Sequence, residues 1–345
     1  EINHSIPMVM TGYARFDTLE EEVGMSVEFR RVASLRLLTS ESQWEGSKER
    51  ASILTKAGIP YEYIPPERIP EIEPAVDIRG LYGATYAPYQ GQVNPFLLMW
   101  AFLKSANQDK FDLYTYTEVK DFILQGGRII GVKTKQNTIM GSVVILATAA
   151  WTRKLGKQLG MDWNIHTFRA SAMATERFNE LQIRNIITSA DHIETQINGP
   201  EDAELTVLAL TQTTEGNFLI AQADRPGEVL DSTISHAAPQ AMSTMATRFF
   251  PVLKSARIIR SWTSPTTYTD DGMPLLGFVD GIDGLILAAS FRSAIVNSPI
   301  AGEIVTQLIT QGHCDIIDIS PFAPNRKMKQ ADTVYRVKSS QSGED

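Results

Sequence analysis

The stretch Leu285-Ile286-Leu287-Ala288-Ala289-Ser290-Phe291-Arg292-Ser293-Ala294-Ile295-Val296-Asn297-Ser298-Pro299 passes from an unbroken apolar run through a short turn into a helical pattern, Pro299 to Ile309. Five apolar residues bounded by turn signals are too few for a helix and read as a strand covered on both faces, the kind found in parallel sheets. Strand, tight turn and helix N-terminus, in that order, is the arrangement that binds phosphates and dinucleotides, because free N–H groups and the helix dipole face the anion. Val143-Val144-Ile145-Leu146-Ala147 has the same buried-strand character.

Upstream of that second run, Tyr114 to Phe122, Arg128 to Thr134 and Thr138 to Ala147 read as three strands, with Gly126-Gly127 and Gln136-Asn137 as hairpin turns. Gly91-Gln92-Val93-Asn94-Pro95 forms a turn that opens an apolar helix over Pro95 to Ala106, with Asn94 as N-cap and Pro95 as first helical residue. Residues 4–22 space their apolar side chains three or four apart and stop at Gly24, which predicts one amphipathic helix. A strand over Val27 to Leu38 and a charged helix from Ser40 to about Ala57 follow, and Leu81 to Pro88 reads as another strand. From about 160 to 265 the pattern changes to long alternating strands, such as Glu204 to Leu210 and Gly216 to Ala221, with one helix from Pro239 to Phe250. That alternation predicts an antiparallel sheet covered on one side.

Composition narrows the function. The 345 residues are 43% hydrophobic and 21% charged, long enough for two domains. A net charge of -8 argues against nucleic acid or an anionic membrane surface as partner, since both select for clustered Lys and Arg. No run of eighteen apolar residues and no basic-then-apolar leader is present, so neither a membrane span nor secretion is expected, and a cytoplasmic protein fits. The single cysteine, Cys314, excludes an intramolecular disulfide, and with His313 it sits in a Gly-containing turn where a structural role is expected. Neither a metal-ligand spacing nor a paired-carboxylate motif stands out.

Four ordered blocks together resemble a known family: Gly91 to Pro95, Ala147-Thr148-Ala149-Ala150-Trp151, Trp262 to Gly277, and Ser290 to Pro299. With the tail Asp318 to Arg326 they make the chain similar to FAD-dependent oxidoreductases of the D-amino-acid oxidase and glycine oxidase superfamily. Gly216 to Ile220 and Phe291-Arg292-Ser293 look nearest to the β subunits of opine oxidase and hydrogen cyanide synthase type amine dehydrogenases. The resemblance implies an α/β (α+β) fold: a Rossmann-like FAD-binding domain, N-terminally incomplete, over 1–24, 91–158 and 266–330. An antiparallel-sheet substrate domain over 25–90 and 159–265 is interleaved with it, and 331–345 form a polar tail. It implies oxidation of an amine or amino acid at the C–H next to nitrogen, hydride transfer to FAD, and a possible partner subunit in a heteromer.

The same resemblance assigns the cofactor to Val119, Ala149, Trp151, Ser290, Phe291, Arg292, Ser293, Ala294 and Ile295. Arg292 is the candidate substrate anchor, because a guanidinium holds a carboxylate through two parallel hydrogen bonds; an ordinary surface arginine is the competing reading. Trp262 is expected to wall the substrate pocket or else to be plain core, and Trp151 to pack. Asp271-Gly272 builds a turn. The arginine that glycine oxidases often carry near the position of Thr266 is absent.

Two departures stand against the family pattern. The 345 residues hold no Gly-x-Gly-x-x-Gly turn opening a helix, and the resemblance places that βαβ unit ahead of residue 1, its first strand fitting between 143–147 and 285–289. Non-glycine residues stand at Ala149, Ala221, Ser264, Ser290 and Ala294, where the family usually has glycine. A flavin-free structural or assembly subunit is therefore the alternative expectation.

Overall fold

The computed structural model describes residues 2–106, 108–190, 205–227 and 233–329; Glu204 and the polar tail 331–345 lie outside the described residues. In chain order come α1 (Ile2–Arg15), α2 (Leu19–Val23), β1 (Arg30–Leu38), α3 (Glu41–Lys56), β2 (Glu62–Ile64), α4 (Ile69–Ile72), β3 (Gly83–Gln92) and α5 (Pro95–Ser105). Next are β4 (Val119–Gln125), β5 (Arg128–Thr134), β6 (Thr138–Met140), β7 (Val144–Leu146), α6 (Thr152–Gln158), β8 (Ile165–Arg177), β9 (Ile186–Ser189), β10 (Leu205–Gln212) and β11 (Asn217–Pro226). The series closes with α7 (Ala237–Phe249), β12 (Ile258–Thr269), β13 (Leu275–Phe278), β14 (Leu285–Ala289) and α8 (Ala294–Gln311). Among the described residues the chain divides into two compact units: 2–29, 93–167 and 266–329 in one, 30–92 and 168–265 in the other.

Local chemistry sets several ends where the sequence puts them. Ser40 Oγ accepts from Gln43 N at 3.3 Å to start α3, and Asn94 Oδ1 accepts from Phe96 N and Leu97 N at 3.1 and 3.3 Å to start α5. Gly24, at φ 64°, ends α2, and Gly126-Gly127, at 59° and 82°, makes the tight turn between β4 and β5.

Elsewhere the boundaries move. The helix over 4–22 breaks into α1 and α2, and the strand over 138–147 breaks at Gly141-Ser142 into β6, which pairs with β5, and β7, which pairs with β14. Gly91 and Gln92 belong to β3 rather than to a turn, because they ladder with Arg31 and Arg30. Residues 111–118 stand outside any strand. Helix α8 starts at Ala294, five residues early, and runs through Pro299. A proline has no N–H for the carbonyl of Ile295, and Ser298 Oγ donates to that carbonyl instead at 2.8 Å.

In the second unit eight strands run in the order β12-β8-β11-β10-β9-β1-β3-β2. Pairings such as β1 with β3 and β10 with β11 are antiparallel, but β1 and β9 are parallel. Helix α7 buries Ala238, Met242, Ala246 and Phe249 in a core with Leu35, Leu210, Phe218 and Ile220. Glu73 is fully buried there: Oε2 accepts from Arg184 N, Asn185 N and Asn185 Nδ2 at 2.9, 3.1 and 3.0 Å, and Oε1 has no partner. Burial pushes this carboxyl above its ordinary range, against the lowering effect of those three hydrogen bonds. A raised folded-state pKa adds stability that is present below the unfolded value and is lost as pH rises through the folded one. Glu73→Gln keeps an acceptor oxygen for the three N–H groups, so its melting temperature is expected to exceed wild type at neutral pH and the two to converge on acidification. A variant that melts lower than wild type at neutral pH contradicts this.

In the first unit β13, β14 and β7 form one sheet and β4, β5 and β6 another. Strand β14 is buried on both faces as expected, with Leu285 and Leu287 packed with Phe122, Leu146 and Trp163, and Ile286 packed with Met8, Ile300 and Ile304. The placement of the two apolar runs is corrected, however. Strands β14 and β7 pair directly and in parallel, Ile286 opposite Ile145, so no slot separates them. The open edge is the outer side of β7, where Ile145 is 40% exposed rather than covered on both faces. Five apolar residues say that a strand is favoured but not which neighbour closes its ladder.

The closing segment docks on the same unit. Phe322 is fully buried, and Arg326 meets Asp271 through two bonds, Nε to Oδ2 at 2.7 Å and Nη2 to Oδ1 at 2.8 Å. Asp271 also builds its turn, accepting from Thr269 Oγ1 and Met273 N at 3.0 and 3.1 Å. His313 and Cys314 follow Gly312, whose φ of 81° ends α8.

Candidate cofactor site

Where β7 ends, Ala149 turns the chain with φ 41° into a short 3₁₀ turn, Ala149–Trp151, that feeds α6. Thr148 and Thr152 close this turn hydroxyl to hydroxyl at 2.9 Å. Trp151, Lys154, Leu155 and Gln158 follow at helical spacing and share one face. That face, with Val119 and Phe122 of β4 and Val144 to Leu146 of β7, lines a cavity of about 600 Å³. Two expected cofactor residues, Val119 and Trp151, thus line one space with an apolar floor, and Glu118, Lys120 and Lys154 bring charge to its lining. Lys154, Leu155 and Gln158 went unassigned in the sequence, although their spacing of three, four and seven from Trp151 is the signal that finds them.

The second locus is the turn from β14 into α8. Ser290 holds φ 58°, is buried, and its Oγ has no partner; Phe291 is half-buried, and Arg292, Ser293, Ala294 and Ile295 are exposed. Ser293 occupies the N-cap position of α8 without a side-chain capping bond, and Asn297, in the first turn, is buried with Oδ1 unpartnered. The Arg292 guanidinium carbon lies 5.8 Å from the centre of the Tyr268 ring. Trp262, also expected at the site, is half-buried on β12 in the second unit. Among the described residues no group of three His, Cys, Asp or Glu is placed to hold a metal, and no helix is long and apolar enough to cross a membrane.

Of the five positions where the resemblance leads one to expect glycine, Ala149 and Ser290 keep a left-handed backbone, whereas Ala294 is helical and Ala221 and Ser264 lie in strands. A Cβ in that region is strained by roughly 1–2 kcal/mol. Ala149→Gly and Ser290→Gly are each expected to raise stability by on the order of 1 kcal/mol, less the extra entropy glycine has when unfolded. Denaturant midpoints that fall for both variants contradict this reading of the turns.

Parallel strand, tight turn and long helix beside a mixed sheet define a dinucleotide-type fold, and the family comparison agrees. The chain belongs to the DAO family of FAD dependent oxidoreductases, whose model matches residues 3–308. It is 23% identical over 326 residues to glycine oxidase of Geobacillus kaustophilus, covering 93% of this chain and 81% of that protein. It is 25% identical to sarcosine oxidase subunit beta of Arthrobacter sp, covering 76% of this chain and 62% of that one. Among solved structures, L-proline dehydrogenase from P. horikoshii superposes with a TM-score of 0.83 at 26% identity, covering 93% of this chain and 83% of that chain.

FAD is the cofactor of this family, and the residues fit its two ends. The cavity beside β7 offers a largely apolar space with the aromatic side chains of Phe122 and Trp151 in its lining, beside Val119. The turn at 290–295 offers a glycine-shaped backbone and a helix start without a side-chain cap, where a polar ring edge can accept N–H bonds. The 345 residues hold no Gly-x-Gly-x-x-Gly turn.

Proposed function

We propose that this chain carries the adenosine wall and the flavin-side turn of an enzyme that oxidises an amine or amino acid at the C–H next to nitrogen. The observation that carries the reading is the left-handed Ser290 between β14 and the side-chain-uncapped start of α8, in a chain of the FAD-dependent family. When bound, FAD supplies the hydride acceptor. The protein's share is to bind and orient: Val119 and Trp151 hold the adenine end, and backbone N–H groups of 293–295 face the ring. Arg292 grips a substrate carboxylate so that the reacting carbon is presented to the flavin with water excluded. The units 2–29, 93–167 and 266–329, and 30–92 with 168–265, then serve as cofactor and substrate domains, with Trp262 on the substrate side. Several relatives are named as subunits, sarcosine oxidase subunit beta among them, which supports a partner subunit in a heteromer here.

A flavin-free assembly subunit is the second reading. It is favoured by the side chains at Ala149 and Ser290 and by the lack of a Gly-rich turn in these residues. Anaerobic bleaching of the flavin-loaded, full-length protein by a panel of amino acids, N-methyl amino acids and opines separates the two. In that assay Arg292→Ala is expected to raise the apparent KM about tenfold or more, as loss of a charge-assisted pair predicts, and to weaken substrate binding more than flavin binding. Arg292→Lys recovers only part, lacking the bidentate fork. An unchanged KM removes Arg292 from the site.

A further inference from the structure

We propose that the groove between the outward side of α7 and β10 is a binding site for a medium-chain aliphatic carboxylate, with Arg248 as its anion anchor. The space has a volume of about 440 Å³, within the size range of small-molecule sites. One wall is Thr206 of β10, and α7 supplies the rest. Helical spacing divides that supply into two adjacent stripes. Ala237, Ala241 and Met245 follow one another at intervals of four and give an apolar floor, while Gln240, Thr244 and Arg248 run beside them as a polar rim. The opposite side of the helix faces the core, where Ala238, Met242, Ala246 and Phe249 are buried. The groove lies wholly within the second unit and stands apart from the cofactor reading.

Arg248 is a cation without a counterion: among the described residues the side chains of Gln240, Thr244 and Arg248 make no hydrogen bond or ion pair. Its guanidinium carbon lies 4.8 Å from the centre of the buried Phe249 ring, and Gly80 passes beside Nη2 with no side chain to cover it. Ring contact engages the plane of a guanidinium and narrows its rotamers, while the N–H edge stays available for a carboxylate. Asp77, whose N–H donates to Phe249 O at 2.7 Å, commits its own carboxylate to Arg79 Nε at 2.8 and 2.9 Å and so does not neutralise Arg248. A bound carboxylate takes two parallel bonds from Arg248 and keeps lone pairs for the hydroxyl of Thr244, one helical turn away. From Gln240 to Arg248 the helix rises roughly 12 Å, and along that length the two alanines leave room for an unbranched hydrocarbon chain, whose burial adds affinity with area. A dianion would find one cation only, and an amine would meet the wrong charge.

The test is a calorimetric titration of the 345-residue chain with octanoate, beside acetate, octanol and octylamine. Saturable binding of octanoate is expected, with acetate and octanol each weaker by about tenfold or more, since one lacks the chain and the other the charge, and with octylamine unbound. Arg248→Gln is expected to weaken octanoate about tenfold and Thr244→Val severalfold. Both residues are exposed, so these variants keep the fold. Ala241→Phe, which fills the floor, is expected to abolish binding. Arg292→Ala locates the ligand: octanoate affinity left unchanged by it and lowered by Arg248→Gln supports the groove, and the reverse pattern overturns it. No binding by wild type, octanol as tight as octanoate, or Ala241→Phe equal to wild type also overturns it.

Discussion

Purified as these 345 residues alone, the protein is expected to be colourless, and the same chain extended upstream by a Gly-rich βαβ unit is expected to hold FAD stoichiometrically. A dinucleotide is bound largely through its pyrophosphate, which needs several N–H groups converging at a helix start, and only glycines let the backbone approach that closely. The sequence holds no Gly-x-Gly-x-x-Gly stretch, and Gly126-Gly127 joins two strands of a hairpin and opens no helix. The proposed adenosine cavity and the turn at 290–295 would then have to hold the cofactor without that anchor. The open side of β7 is where an added parallel strand would find unpaired backbone, next to the cavity. Flavin absorbance of the purified protein reads the result directly. A stoichiometric yellow protein from residues 1–345 would falsify this account of the cofactor site, and an extended chain that stays colourless would favour the assembly-subunit reading.

The largest stability effect is expected at Arg326. Its side chain and that of Asp271 are 10% and 9% exposed, and the bidentate pair is completed by Arg326 bonds to the carbonyls of Met273 and Ala323 at 2.9 and 3.1 Å. Removing one member of such a pair strands the other charge away from water, so Arg326→Ala is expected to cost about 3–5 kcal/mol. Burial alone raises the Asp271 carboxyl, but the bonds from Arg326, Met273 N and Thr269 outweigh it and hold the group below its ordinary value. The stabilisation is therefore present above the ordinary carboxyl pKa and fades as pH falls through the depressed folded value. Without Arg326 the carboxyl loses two of the influences that lower it and takes up a proton more readily. The deficit of Arg326→Ala against wild type should then be greatest at neutral pH and shrink in the acid range, as denaturant midpoints across that range would show. A deficit under about 1 kcal/mol at neutral pH would mean that water or a neighbour replaces the guanidinium.

How far the sequence carried the structure depended on the distance between cause and effect. Ser40, Asn94-Pro95, Gly24 and Gly126-Gly127 act on backbone groups within three or four residues, and the elements they bound lie close to where local chemistry puts them. Strand pairing is different. The partnership of β7 with β14 joins residues about 140 positions apart, and nothing in either apolar run encodes it. Gly141-Ser142 was a legible break inside 138–147 that strand-forming neighbours on both sides outweighed. A candidate site could be proposed from the sequence where it is contiguous, as at Ala149 to Trp151 and Ser290 to Ile295. It was not readable where two segments meet, as for Arg326 with Asp271 or Arg292 with Tyr268. Those contacts exist only once the sheets are assembled.

The left-handed turn at Ala149 also bears on how such a chain can change over generations. Every alanine codon is a single base away from a glycine codon, and the backbone at this position already has the shape a glycine would take. An exchange between alanine and glycine here would therefore be reversible, since neither direction asks the surrounding fold to move. A lineage carrying alanine stands one mutation from a turn that lets a cofactor approach more closely, with the folded architecture retained in the meantime.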